Sequence, residues 1–187
     1  IAWHAQSGRS GLPWQGNRDP YAVWVSEIML QQTQVATVLE RYPRFMKRFP
    51  TVKKLASADV DEVLAEWAGL GYYSRARNLH ACAKQVVDQF SGKFPNDPLL
   101  LEQLKGIGRS TAGAIAAFAF HERAPILDAN VKRILARIFA VEGALQDKVV
   151  NERLWKLAED LLPSKREDMP VYTQALMDFG ATWCTSR

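Results

Sequence analysis

Cysteine is scarce in this chain. Cys82 and Cys184 stand far apart, which gives no disulfide framework and fits a reducing cytoplasm. The three histidines, His4, His80 and His121, are scattered and match no metal-ligand spacing. No apolar run is long enough to cross a membrane, which argues against a membrane partner. The opening Ile1-Ala-Trp-His has no basic stretch followed by an apolar core, so no secretory signal is visible. Ile1 is not a methionine, and the natural N-terminus is expected to have been removed or to lie upstream. Apolar and polar residues never alternate for long, no Asn-Gly dipeptide occurs, and there is no repeat or low-complexity segment. These absences exclude a disulfide scaffold, a solenoid and a hairpin-built sheet protein.

What is present reads as helix throughout. The 187 residues are 48% apolar and 24% charged, enough for a soluble globular core. A net charge of +4 suits a polyanion, although many proteins that bind none are equally basic. Ser7 to Gly11 reads as loop, followed by Leu12-Pro13-Trp14-Gln15. Asp19-Pro20 is a helix start, an N-cap followed by proline at the first position. The helix from Tyr21 to about Leu30 ends at Gln31-Gln32-Thr33, where Thr33 is placed to cap the next helix, and Pro43 is expected to kink or divide that one. Further helices are expected from about Ser57, over 74–90, and around a glycine turn at Gly106 and Gly108. After Asp128 three more follow, over 131–141, 149–162 and 170–184. The expected architecture is all-α, with about ten helices in two lobes and a cleft between them. One lobe is a six-helix bundle over 19–122; the other joins 1–18 to 123–187.

Two features carry chemistry. The stretch Leu104-Lys-Gly-Ile-Gly-Arg-Ser-Thr-Ala-Gly-Ala114 puts a tight glycine turn before a helix whose first N–H groups lack partners. With Lys105 and Arg109 beside it, that turn makes a phosphate seat; an ordinary glycine-capped turn is the plain alternative. The second feature is a pair of carboxylates. Glu27 lies among Val23, Trp24, Val25, Ile28, Met29 and Leu30, and desolvation there would make it a general acid near neutral pH. Periodicity alone favours a solvated helix-face glutamate. Asp128 precedes a helix, and a plain N-cap is the commonest use of such an aspartate. A facing pair of carboxyl groups is what cleavage of a glycosidic bond requires. Tyr72 and Tyr73 beside two glycines could present an aromatic wedge to a base stack, with one of them expected in the core. Lys132 and Arg133 read first as helix-face cations, Gln31 to Thr33 as a polar loop, and Cys82 as a small buried hydrophobe.

Five stretches, taken together and in order, resemble the MutY-type adenine DNA glycosylases of the helix-hairpin-helix superfamily. They are Leu12 to Gln15, Val25 to Val35, Gly69 to Tyr73, Leu104 to Ala114 and Ile126 to Arg133. The resemblance covers nearly the whole chain and implies a monomer acting on duplex DNA in a bacterial-type cytoplasm, at the nucleoid. It implies that adenine opposite 8-oxoguanine or guanine is flipped out and removed. In that resemblance Glu27 protonates adenine at N7. Asp128 stabilises the sugar cation, by charge or a transient covalent bond, and Asn130 hydrogen-bonds near this centre. Gln32 and Tyr72 match residues wedged around 8-oxoguanine, with Thr33 and Leu70 as neighbours. Trp14 and Gln174 match the adenine pocket. The backbone at Gly106 and Gly108 would hold a phosphate, with Lys105, Arg109, Ser110 and Lys132 beside the DNA.

Two departures from that family matter. Lyase-active relatives of the endonuclease III type carry a lysine nucleophile where this chain has Ser110, so the resemblance points to a monofunctional hydrolase using water; some MutY-type enzymes carry tyrosine there. The family also binds a [4Fe–4S] cluster through four cysteines, of which only Cys184 has a counterpart here. A cluster is expected in the full-length protein but is not bindable by this fragment, and the base chemistry itself needs no cofactor. Thr185-Ser186-Arg187 reads as an interruption, with the rest of the iron–sulfur loop and a C-terminal 8-oxoguanine-sensing domain missing. The alternatives are a non-catalytic helix-hairpin-helix DNA-binding module and a thymine-excising or lyase-active relative of the endonuclease III type.

Overall fold

Aspartate caps set the rhythm of this fold. The computed structural model describes residues 1–185; Ser186 and Arg187, part of the stretch read as an interruption, lie outside the described residues. Among the described residues there are eleven α-helices and one 3-10 turn, at Arg166–Asp168. The first six helices are α1 (Ala2–Ser7), α2 (Pro20–Leu30), α3 (Val35–Arg48), α4 (Val52–Ser57), α5 (Val60–Glu66) and α6 (Tyr73–Phe90). The other five are α7 (Pro98–Glu102), α8 (Arg109–Phe120), α9 (Ala129–Ile138), α10 (Lys148–Asp160) and α11 (Met169–Thr182). Helices α2, α5, α7, α9 and α10 each open on an aspartate whose side chain accepts a backbone N–H of the first turn. No helix among the described residues is long and apolar enough to cross a membrane.

Two cores lie on either side of α8. The larger one centres on Trp24, Trp67 and Phe45, with Ile115 and Ala116 from α8. The smaller one joins Ala114 of α8 to Ile126, Leu127, Val131, Leu135 and Leu154. The small residues Ala112, Gly113, Ala114, Ala116 and Ala117 let α2 and α11 both pack against α8. The N-terminal segment serves both sides. Trp14 packs edge-on against Tyr42 in the larger core, while α1 lies on α11. Gly113 marks the tightest approach, since a Cβ there would stand 2.2 Å from the Pro125 carbonyl oxygen. Gly113→Ala is therefore expected to cost at least about 1–3 kcal/mol by overpacking, read from chemical denaturation. An unchanged midpoint would mean that α8 and the segment at Pro125 separate freely.

Several local expectations are corrected. Helix α3 runs through Pro43 undivided, with Pro43 exposed. Helices α1 and α4 lie where the sequence pattern assigns no element. Thr33 does not cap α3; Gln34 occupies that position, and the Thr33 hydroxyl lies 3.3 Å from the Leu70 carbonyl oxygen instead. Of the two glycines in the hairpin turn, Gly106 has φ +78°, whereas Gly108 has φ −92°, open to any residue. Neither Tyr72 nor Tyr73 is in the core, since both are exposed.

Candidate active site

Glu27 is carried by a helix buried on nearly every side. Tyr21 to Ser26, Ile28 and Met29 are all buried, while Glu27 and Leu30 are only partly buried. Two neighbouring cavities meet there, and both are lined by Arg9, Glu27, Leu30, Val35 and Met177. The first, about 340 Å³, is largely apolar; Leu12, Trp14, Val23 and Phe118 form its walls, with Gln174 at its edge. The second, about 760 Å³, is lined by Gln31, Gln32, Thr33, Tyr72, Ser110, Asp128 and Asn130.

Desolvation is the dominant influence on both carboxyl groups. It pushes the Glu27 pKa up to about 8, with the Asp128 charge adding to the shift. Glu27 thus holds its proton at neutral pH. Burial also raises the pKa of Asp128, but there it is opposed by N–H groups of Val131 and Asn130, the Arg133 charge and the Asn130 side chain. Asp128 is also the N-cap of α9, accepting the Val131 N–H at 2.8 Å, so the plain structural role is real. Asn130 Oδ1 accepts from Arg133 at 2.8 Å, and Arg133 donates onward to the Gly180 and Cys184 carbonyl oxygens at 2.6 Å each. This anchors the start of α9 on α11. Ser110 Oγ accepts the Leu127 N–H at 3.0 Å, tying the start of α8 to the chain just before Asp128. One protonated carboxyl group beside a second, hydrogen-bonded one can act as general acid and cation stabiliser on a bound glycoside.

The fold brings most of the expected residues together and leaves some out. Glu27, Gln32, Thr33, Tyr72, Ser110, Asp128 and Asn130 share the second cavity, while Trp14 and Gln174 share the first with Glu27. Leu70 does not fit a DNA-facing side chain: it is 4% exposed in the larger core, and only its carbonyl group faces the loops. Arg109 does not stand free at the turn, because its guanidinium stacks 4.0 Å from the centre of the Trp155 ring. Lys105 is exposed, and its N–H donates to Gln85. Lys132 is half-buried on α9 and lines neither cavity. A Cβ on Gly106 would meet Asn78 Cβ at 2.8 Å, whereas one on Gly108 would meet nothing within 4 Å. Gly108 therefore leaves space outward, toward whatever approaches the start of α8.

Two groups of functional interest escaped the sequence. Arg75 sits between the Gln31–Thr33 tip and the Leu70–Gly71 turn. Asp178 is completely buried and holds Arg9 through its backbone N–H at 2.9 Å and its guanidinium at 2.7 Å, together with His4 at 3.2 Å and Gln174 at 2.9 Å. A carboxylate inside the apolar run Ala175 to Gly180 is the same signal that singled out Glu27.

The residues present do not fit an iron–sulfur cluster. Cys184 accepts a hydrogen bond from Arg137 at 3.4 Å, and Cys82 is buried in α6, its thiol pushed up to about 12 by burial. No group of three or more possible metal ligands assembles among the described residues.

Comparison with known proteins follows the same outline. Residues 25–160 match the HhH-GPD superfamily of base excision DNA repair proteins. The chain is 43% identical over 186 residues to an adenine DNA glycosylase of Buchnera aphidicola, covering 100% of this chain and 53% of the relative. It is 45% identical over 195 residues to the human adenine DNA glycosylase, covering 99% of this chain and 35% of that one. The chain spans about half the length of the curated bacterial relatives from Buchnera. Among solved structures, a thermostable thymine-DNA glycosylase superposes with a TM-score of 0.89 at 27% identity, covering 100% of this chain and 84% of that one. An endonuclease III–DNA complex superposes at 0.82 and 22% identity, covering 100% of this chain and 83% of that one, and shares the fold.

Proposed function

The chain belongs to the HhH-GPD superfamily of base excision DNA repair proteins, and from that premise we propose that it is an adenine-specific DNA glycosylase. Its substrate would be duplex DNA with adenine opposite 8-oxoguanine or guanine. The observation that carries this reading is Glu27, a carboxyl group kept protonated at neutral pH where an apolar cavity meets one containing Asp128. A helix-hairpin-helix module that only binds DNA needs neither feature. The relatives named above as adenine DNA glycosylases support the choice of base.

In this mechanism the adenosine leaves the stack and its base enters the apolar cavity. There Trp14 offers an aromatic wall and Gln174 an amide. Glu27 donates its proton to adenine N7. The bond from C1′ to N9 breaks, its electron pair goes to the base, and adenine departs neutral. The positive charge left on the sugar is stabilised by Asp128, held in place by the Val131 N–H, with Asn130 and Arg133 beside it. Water adds at C1′, and its proton returns to the Glu27 carboxylate. The hairpin turn at Gly106 and Gly108 and the first N–H groups of α8 hold a backbone phosphate, with Lys105 beside it. Gln32 and Tyr72, both exposed at φ +53° and +47°, enter the base stack.

Ser110 supplies no amine for a Schiff base, so the proposed enzyme cleaves no strand. Single-turnover reaction with a duplex containing adenine opposite 8-oxoguanine is expected to give strand scission only after hot alkali. Scission without alkali would establish lyase chemistry and overturn the monofunctional reading. No scission under either condition would favour the binding module.

A further inference from the structure

Two neighbouring loops hold backbone in the left-handed region, Gln32 at φ +53° and Tyr72 at φ +47°, the latter just after Gly69 and Gly71 at +90° and +70°. Left-handed residues other than glycine persist only where their surroundings over-determine them. The surroundings here converge on one side chain. Arg75 Nη1 donates to the carbonyl oxygens of Ile28 at 2.8 Å, Met29 at 3.1 Å and Gln31. Its Nη2 donates to Thr33 Oγ1 at 3.0 Å and to the carbonyl oxygens of Leu70 at 2.7 Å and Gly71 at 3.3 Å. The same guanidinium lies over the rings of Trp67 and Tyr72, 5.4 and 5.7 Å from their centres.

The chemistry suits arginine. The last carbonyl groups of α2 have no partners within the helix and carry its negative end, which favours a cation. A planar fork can serve those carbonyls on one edge and the glycine turn on the other; an ammonium group, a single point charge, cannot span both. Ile28 also directly follows Glu27, so the clamp that joins the loops is fixed to the helix carrying the proposed acid.

We infer that Arg75 is a positioning residue. It locks the α2–α3 tip bearing Gln32 to the turn bearing Tyr72, so that both side chains enter the duplex as one unit and separate mispaired from paired adenine. This rests on the reading above, in which those two side chains enter the stack. It assigns the discrimination to a residue that itself faces carbonyl groups.

The test uses Arg75→Lys, with Thr33→Val as a milder variant that removes one contact of the fork. Single-turnover excision is measured on adenine opposite 8-oxoguanine and on adenine opposite an abasic site, where the opposing base is already absent. Loss of the fork's hydrogen bonds should slow Arg75→Lys about tenfold on the mispaired duplex and leave it within about twofold of the parent on the abasic one. Thr33→Val should show the same pattern at smaller size. Equal losses on the two substrates would mean a general structural role and overturn the inference. A second readout is independent of cleavage: in a Glu27→Gln background, Arg75→Lys should cut the ratio of Kd for paired over mispaired duplex about tenfold. An unchanged ratio, or no discrimination in the Glu27→Gln parent, would overturn it as well. A parent chain that releases no adenine would count against the glycosylase reading, and the Kd ratio would then decide the role of Arg75.

Discussion

Glu27→Gln is expected to slow adenine release by about 10²- to 10⁴-fold, the usual contribution of a general acid, while duplex affinity stays within about twofold. Glutamine keeps the shape and one oxygen but has no acidic proton to give. The parent protein should lose activity as pH rises through about 8, where burial and the Asp128 charge place the Glu27 pKa. The residual rate of the variant should not follow that titration. The stability of the parent should fall over the same rise in pH. The Glu27 carboxyl titrates near 4.5 in the unfolded chain and near 8 in the folded one. Between those values the folded state binds the extra proton, so the contribution of Glu27 is fully present below about 4.5 and is lost as pH rises through about 8. Relative to the parent, Glu27→Gln should therefore gain about 1.4 kcal/mol per pH unit across that window and nothing further above it. Denaturation curves at several pH values, beside single-turnover rates, measure both effects. Adenine release at the parent rate would remove Glu27 from the acid role. A stability difference independent of pH would show that its carboxyl is not held protonated by burial.

Asp178→Ala is expected to be the most damaging change away from the proposed acid. Asp178 is fully buried and is the common partner of His4, Arg9 and Gln174. Breaking a buried ion pair by removing one member costs about 3–5 kcal/mol; the lower end applies here, because the Arg9 side chain is 31% exposed and can turn to water. Helix α1 buries none of its own residues. It is held by this network and by the edge-on contact of Trp3 with Phe179, whose ring centres are 5.1 Å apart. The N-terminal segment should loosen, and with it the cavity wall formed by His4, Arg9 and Trp14. Limited proteolysis should then cut within residues 1–18, and excision should fall. Asp178→Asn, which keeps the shape and one acceptor oxygen, should lose less. Protection equal to the parent in Asp178→Ala would show that α1 is held by its ring contact alone.

These two carboxylates also mark how far the sequence could be read. Both lie inside apolar helical runs, yet the period of α2 by itself favours a solvated Glu27. Burial desolvates it, and the cavity it faces is walled by Trp14, Phe118 and Gln174, from three separate segments. The five motif stretches, the hairpin among them, were legible because each is contiguous and its residue types have local causes, in turns and caps. The stacking of Arg109 was not legible for the opposite reason, since its partner Trp155 comes from another helix.

By itself the sequence determined an all-helical chain, most of its helix starts through aspartate caps and prolines, and the family to which its motifs belong. These depend on interactions within a few residues, and local order dictates them. Tertiary structure alone decided which carboxyl keeps its proton, that Tyr72 faces solvent while Leu70 turns inward, and that Arg75 joins two loops. Burial and hydrogen-bond partnership are relations between distant residues; Arg75 reaches Ile28 across 47 positions, and no local pattern encodes such a contact.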